Sequence, residues 1–466
     1  MNRDNFLSSV DAWFKQGELQ EVLAKRIAYK TEGDLPEAPQ ELWDYLKNEI
    51  IPYLTGMGFI STVFDNPLPD AAPILVARLI EDVNLPTLLI YAHGDVVNGQ
   101  DSRWQEGLNP WVLSVDGERW YGRGSADNKG QHTITFFGLA KALEARSGKL
   151  GYNVTVLMEM GEEAGSPGLA EFCENNKELL KADLLIASDG PRINAETPTI
   201  FLGSRGLVNF SLLVKARDKA YHSGNWGGVL VNPATRLVHA LSSLIDARGR
   251  ILLDGIKAPA VDSLIKEALK SVTVGNGKGD PEIDLSWGQS ELTSAERLFA
   301  SNTLEILALG SGQSERPVNA IPSQAIAHCQ LRFVVGTDWQ NLLEYVREHL
   351  VASGFDDVVV KVNAHTPATR LDLKNPWVNW VKSSIENTTG KQVTVLPNLA
   401  GSLPNDVFAD ILGLPTIWVP HSYPACNQHA PNEHMLKSVA AEGLQMMAGI
   451  FWDLSEKSST ANSSWD

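Results

Sequence analysis

Residues 154–168, VTVLMEMGEEAGSPG, run an apolar stretch directly into two adjacent carboxylates, Glu162 and Glu163. A continuous apolar run that stops at a glycine-rich turn reads as a strand buried on both faces. Two further runs have the same character, TLLIYAH (87–93) and ADLLIAS (182–188). Between the three lie helix-spaced segments, GQHTITFFGLAKALEA (130–145) and GLAEFCENNKELL (168–180). Apolar strands separated by helices predict an α/β fold with a mostly parallel sheet and helices on both faces.

Outward from this centre the pattern changes twice. The first 50 residues space their apolar positions at three to four and predict helices. After residue 207, LVNFSLLVKA alternates like a half-exposed strand and is followed by the helical NPATRLVHALSSLID. A polar, irregular region spans about 252–300. Then come a strand, AIAHCQLRFVV, and a helix, DWQNLLEYVREHLVAS. This βα…βα order predicts a smaller α+β open sandwich. From about residue 373 the first style returns, with the helix NPWVNWVKSSIEN and the strand PTIWVP. The expected organisation is a catalytic domain (1–207 and 366–466) interrupted by an inserted domain (208–365). The polar end, SEKSSTANSSWD, is expected to fray.

A chain of 466 residues exceeds one ordinary core, in keeping with two domains. Its formal charge of −17 argues against nucleic acid and anionic membranes as partners. Three scattered cysteines, Cys173, Cys329 and Cys426, imply no disulfide framework. The N-terminal stretch lacks the pattern of a secretory signal, and no run of about 18 apolar residues is present. The expected location is the cytoplasm.

Polar residues gather where the strands end. His93 closes one strand, with Asp95 two residues on; Asp127 lies in YGRGSADNKG before a helix. Glu162 and Glu163 follow the second strand, Asp189 follows the third, and His429 lies in CNQHAPNEH after PTIWVP. In an open parallel sheet the carboxyl ends of the strands line one edge, where ligands bind. Two imidazoles and three carboxylates without a thiolate suit zinc or a similar divalent ion. Five ligands exceed one catalytic zinc but suit a pair of ions if one carboxylate bridges them. Cations also make the Glu162–Glu163 pair tolerable, since like charges at a buried strand end otherwise repel. Neighbouring side chains cannot readily both reach one ion, so Glu163 is expected to ligate and Glu162 to act as general base. Asp95 is expected to accept the other ring N–H of His93 and fix its tautomer. His132, His239, His328 and His349 are expected to be structural.

These segments together resemble the di-zinc peptidase and amidohydrolase family of carnosinase, cytosolic nonspecific dipeptidase, aminoacylase and glutamate carboxypeptidase. The likeness rests on HGDVV (93–97), GRGSADNKG (122–130), EMGEEAGSPGL (159–169) and HAPNE (429–433), in that order. It departs from the family at Asn98, where a proline is usual, and at Met160, where the glycine arrives one place later. The resemblance implies that Asp127 bridges the ions, His93 and Asp189 complete one site, and Glu163 and His429 the other. It implies Glu162 as the general base. It further implies an inserted lid that forms a homodimer, with His222 of AYHSGNWGG stabilising an oxyanion in a neighbouring subunit's site. Asn319 and Arg332 would lie near the substrate, with Arg332 on a carboxylate; Ser402 of AGSLPND and His365 of NAHTPA would join them.

The expected function is hydrolysis of a peptide or amide bond in a small substrate, a dipeptide first, by a water between two zinc ions that Glu162 activates. Manganese and cobalt are alternatives to zinc. Competing readings share the metal centre: a deacylase of N-acyl amino acids, or a carboxypeptidase. A non-catalytic binding protein on the same fold is the further alternative. A serine hydrolase is disfavoured because LGSRG around Ser204 lacks the first glycine of a nucleophile elbow.

Overall fold

The structure, a computed structural model, describes residues 1–33, 39–275, 277, 279–460 and 465. Its central element is an eight-stranded sheet. The strands Asn153–Glu159, Thr87–His93, Leu184–Ala187 and Thr416–Trp418 lie side by side in that order and are mutually parallel. They are the four strands expected from the apolar runs, and all are buried. Alternate residues enter separate cores. Leu88, Ile90 and Ala92 point to one face and Leu89 and Tyr91 to the other. Burial on both faces is why these strands read as continuous rather than alternating. Each such Leu or Ile contributes about 1.5–3 kcal/mol by leaving water.

The sheet edges depart from the parallel expectation. Ile60–Phe64 and Ile74–Leu79 add antiparallel strands at one side. Ile60–Phe64 is an edge strand with an exposed face, so it lacks the apolar run that marks the centre. The helix Lys129–Ala145 is buried on nearly every side, beneath the sheet and against the long helix Lys437–Thr460. Gly138 permits that approach: a Cβ there would sit 2.9 Å from Met447 Cβ. The expected fraying of 455–466 is corrected in part. The helix continues to Thr460, and Trp465 is buried with its indole N–H donating to Ser458 Oγ at 2.8 Å. Residues 461–464 and 466 lie outside the described residues.

A second sheet is antiparallel, in the order Thr303–Ser311, Gln324–Phe333, Gly206–Lys215, Val358–Thr366. The helices Pro233–Leu244 and Leu342–Ala352 cover one face through Leu237, Leu241, Leu244, Val346 and Leu350. Leu331 and Phe333 point into that core. The period of two therefore sends Arg332 to the opposite, uncovered face. No helix among the described residues is long and apolar enough to cross a membrane.

Candidate metal centre and active site

The expected ligands converge at the carboxyl ends of the parallel strands. His93, the last residue of its strand, is fully buried. Its Nε2 lies 3.1 Å from Asp127 Oδ1 and 3.4 Å from Asp189 Oδ2. On the other side of Asp127, Oδ2 lies 3.1 Å from His429 Nε2, which is also 3.1 Å from Glu163 Oε2. Two triads result, His93–Asp127–Asp189 and Asp127–Glu163–His429, each with its ligand atoms within 4.8 Å of one another. Asp127 belongs to both and turns one oxygen to each.

The protein alone does not satisfy this arrangement. Each imidazole nitrogen faces two carboxylate oxygens but has at most one hydrogen to give. Glu163 Oε1 and Asp189 Oδ2 are buried without a hydrogen-bond partner among the described residues. Buried polar atoms without partners are costly, so groups of this kind call for a missing partner. A divalent cation would supply it, and the nitrogen and oxygen donors fit such an ion.

The electrostatics agree. Burial would lower the His93 imidazole, but Asp127, Asp189 and Asp95 outweigh it and hold it well above the usual histidine range. Asp127 and Glu163 hold the His429 imidazole up at about 11. Burial and the Asp127 charge push Glu163 up to about 7. Burial likewise raises Glu162 well above its ordinary range. Without cations the cluster retains protons as substitutes for positive charge.

The loops that carry these ligands are held by groups whose roles are not legible in the sequence. Asp95 was expected to serve His93 through its carboxylate. The His93 Nδ1 contact is instead shared, 3.2 Å to the Asp95 carbonyl and 3.3 Å to Oδ1. The Asp95 carboxylate mainly accepts the backbone N–H groups of Glu162 (3.2 Å) and Glu163 (3.0 Å). Glu433, the last residue of HAPNE, accepts from the backbone N–H groups of Gly124, Ala126 and Asp127 and from Arg123 Nη1. It thereby fixes the whole GRGSAD turn. Gly130 completes that turn, because a Cβ there would come within 1.9 Å of the Ser125 carbonyl oxygen. Gln428 was also missed; its Nε2 donates to Asp127 Oδ2 at 3.0 Å.

A cavity of about 820 Å³ opens over the triads. Glu162, Arg332, His365 and Ser402 line it together with Asp127, Glu163, Asp189 and His429. Arg332 Nη1 donates to Ser402 Oγ (3.0 Å), and Ser402 Oγ donates to the Arg205 carbonyl (2.7 Å). His222 and Asn319 are not part of this lining. They sit together on an exposed ribbon, where Tyr221–His222 pairs with Ala320–Ile321 and the Ser223 N–H donates to the Asn319 carbonyl. The histidines expected to be structural include His132, held by Tyr45 and Asn128, and His328, held by Ser211.

Comparison with known proteins agrees with this centre. Residues 89–453 match the model of peptidase family M20/M25/M40. The chain belongs to that family. As an M20/M25/M40 peptidase it is a metal-dependent hydrolase that binds divalent metal. The Beta-Ala-His dipeptidase of Mus musculus is 25% identical over 416 residues, covering 84% of this chain and 81% of the relative. The Cys-Gly metallodipeptidase of Saccharomyces cerevisiae is 24% identical over 425 residues, 86% of each chain. The crystal structure of human carnosine dipeptidase 1 superposes with a TM-score of 0.79 at 24% identity, over 97% of this chain and 99% of that one. The likeness to that structure concerns the fold.

Proposed function

We propose that this M20/M25/M40 peptidase hydrolyses dipeptides with the help of two divalent cations, zinc first among the candidates. The carrying observation is that Asp127 presents one oxygen to each of two triads, a bridging arrangement that one ion does not require. Relatives named as dipeptidases support the substrate class. Cations bound in the triads would acidify a water and polarise the scissile carbonyl.

The chain's own residues supply the rest. Glu162 takes one proton from the attacking water, whose oxygen bonds to the acyl carbon. As the C–N bond breaks, Glu162 gives that proton to the leaving amine. Burial raises the Glu162 carboxyl, which makes its carboxylate a stronger proton acceptor than a free one. Arg332, steadied by Ser402, pairs with the substrate's terminal carboxylate, and His365 lines the same end.

His222 and Asn319 are assigned to the site of a second copy, with the second sheet as the dimer face. Exposed apolar residues on its edge strand, Leu307 and Leu309, support that assignment. Three buried, unpaired cysteines suit a cytoplasmic location.

The test is Glu162→Gln, assayed on a panel of dipeptides, N-acetyl amino acids and longer peptides. Dipeptide turnover is expected to fall by about 10²–10⁴-fold with metal content unchanged. Retained activity would remove Glu162 from the mechanism. Preference for N-acetyl amino acids or longer peptides would replace the dipeptidase reading.

A further inference from the structure

The cavity over the triads is lined by two opposite charges, Arg332 and Asp406, that form no ion pair with each other. Arg332 gives its Nε to Gln330 and Nη1 to Ser402, and no carboxylate lies within ion-pair distance of it among the described residues. Asp406 lines the same cavity, half-buried beside the apolar Leu403, Pro404 and Val407. No Lys or Arg among the described residues lies within ion-pair distance of Asp406, and the imidazole that acts on it is that of His365 in the same lining. Burial pushes its carboxyl up to about 6, so it is still largely ionised at neutral pH. A carboxylate on an apolar wall is costly unless a cation meets it.

We infer that Asp406 selects substrates whose C-terminal residue carries a cationic side chain, such as lysine, ornithine or arginine. The inference rests on the dipeptidase reading above. Ser402 and Asp406 lie four positions apart, Asp406 opening the helical turn Val407–Ile411, and both line the cavity, so a substrate carboxylate held at Arg332 and Ser402 sets its own residue against that segment. The substrate's free amino group lies across the scissile bond from that carboxylate. It therefore falls on the side of the triads rather than beside Asp406. A dipeptide of this kind meets both unpaired charges at once: its carboxylate on Arg332, its side-chain cation on Asp406. A neutral side chain would leave Asp406 with its backbone N–H donors and the His365 imidazole but with no substrate cation facing it.

The test compares Ala-Lys with Ala-norleucine, which matches the lysine stem but lacks its charge, on the metal-loaded full chain. A partly desolvated charge pair is expected to favour Ala-Lys by about tenfold in kcat/KM. In Asp406→Asn that ratio is expected to fall below about twofold. Calorimetry of free L-lysine and L-norleucine, the products' side-chain equivalents, should show the same order and the same loss. Turnover of both dipeptides at equal kcat/KM, or a ratio that survives Asp406→Asn, would overturn the inference while leaving the dipeptidase reading intact. If no dipeptide is hydrolysed, the dipeptidase reading fails, and the amino-acid binding order still judges Asp406.

Discussion

The Asp95 carboxylate accepts the backbone N–H of Glu163 at 3.0 Å, and its second oxygen accepts that of Glu162 at 3.2 Å. One side chain, two residues beyond His93, therefore sets the direction of Glu163, the proposed ligand, and of Glu162, the proposed base. Replacing Asp95 by Asn turns one of those acceptors into a donor facing an N–H. Asp95→Asn is expected to lower both metal affinity and kcat/KM by about 10–100-fold, as loss of supporting groups around metal ligands usually does. Metal titration alongside kinetics checks this. An unchanged metal affinity would show that the turn holds itself.

Glu433 and Arg123 form a buried pair at 2.8 Å, with side-chain exposures of 1% and 0%. Glu433→Ala strands the guanidinium and frees three backbone N–H groups of the Asp127 turn. A loss of about 3–5 kcal/mol in unfolding free energy is expected. Because the contact lies within the protein itself, chelated enzyme should lose as much as metal-loaded enzyme. Denaturant unfolding of both forms measures it, and a loss confined to the metal-loaded form would contradict this role.

The centre of the fold was legible because double burial makes a strand continuously apolar, as at Leu88–Ala92. Placing acids and histidines at the ends of such strands then needed only the rule that ligands bind there. The antiparallel edge strand Ile60–Phe64 was not legible, since its exposed face breaks the apolar run. Nor were the strands Thr303–Ser311 and Val358–Thr366, whose residues are largely exposed on one side. The service of Asp95 to Glu162 and Glu163 spans 67 and 68 positions and acts on backbone groups, which leave no mark in residue identity. Glu433 was visible as a motif letter but not as the anchor of a turn some 310 positions earlier.

Proton competition sets the pH dependence of metal binding. In the metal-free protein Asp127 and Glu163 hold the His429 imidazole up at about 11, and burial holds the Glu163 carboxyl up at about 7. His429 therefore keeps its proton through neutral pH while Glu163 gives its own up near pH 7, and a cation must displace both at lower pH. Affinity is expected to rise with pH between about 6 and 8, with protons released on binding. Calorimetry in buffers of different ionisation enthalpy counts those protons. Affinity that is flat or falls with pH would contradict the ligand assignment of His429 and Glu163.

His222 is exposed and accepts only the Gly224 N–H at 3.1 Å, apart from the cavity. If it serves a second copy, inactive His222→Ala and Glu162→Gln chains should complement one another. Mixed dimers pair an intact Glu162 site with an intact His222 in one of their two sites, so random pairing of equal amounts restores about a quarter of all sites. Unfolding and refolding the mixture, then measuring dipeptide turnover, is the check. No recovery in a mixture shown to contain mixed dimers would confine His222 to its own chain.

Asp127 offers one oxygen to each triad, and the whole functional reading depends on cations meeting there. Equilibrium dialysis against zinc followed by elemental analysis tests this most directly. Two ions per wild-type chain are expected, retained in Glu162→Gln and reduced to one or none in Asp127→Asn, the loss a shared bridging ligand entails. A wild-type chain that saturates with one ion, or an Asp127→Asn chain that still holds two, would contradict it.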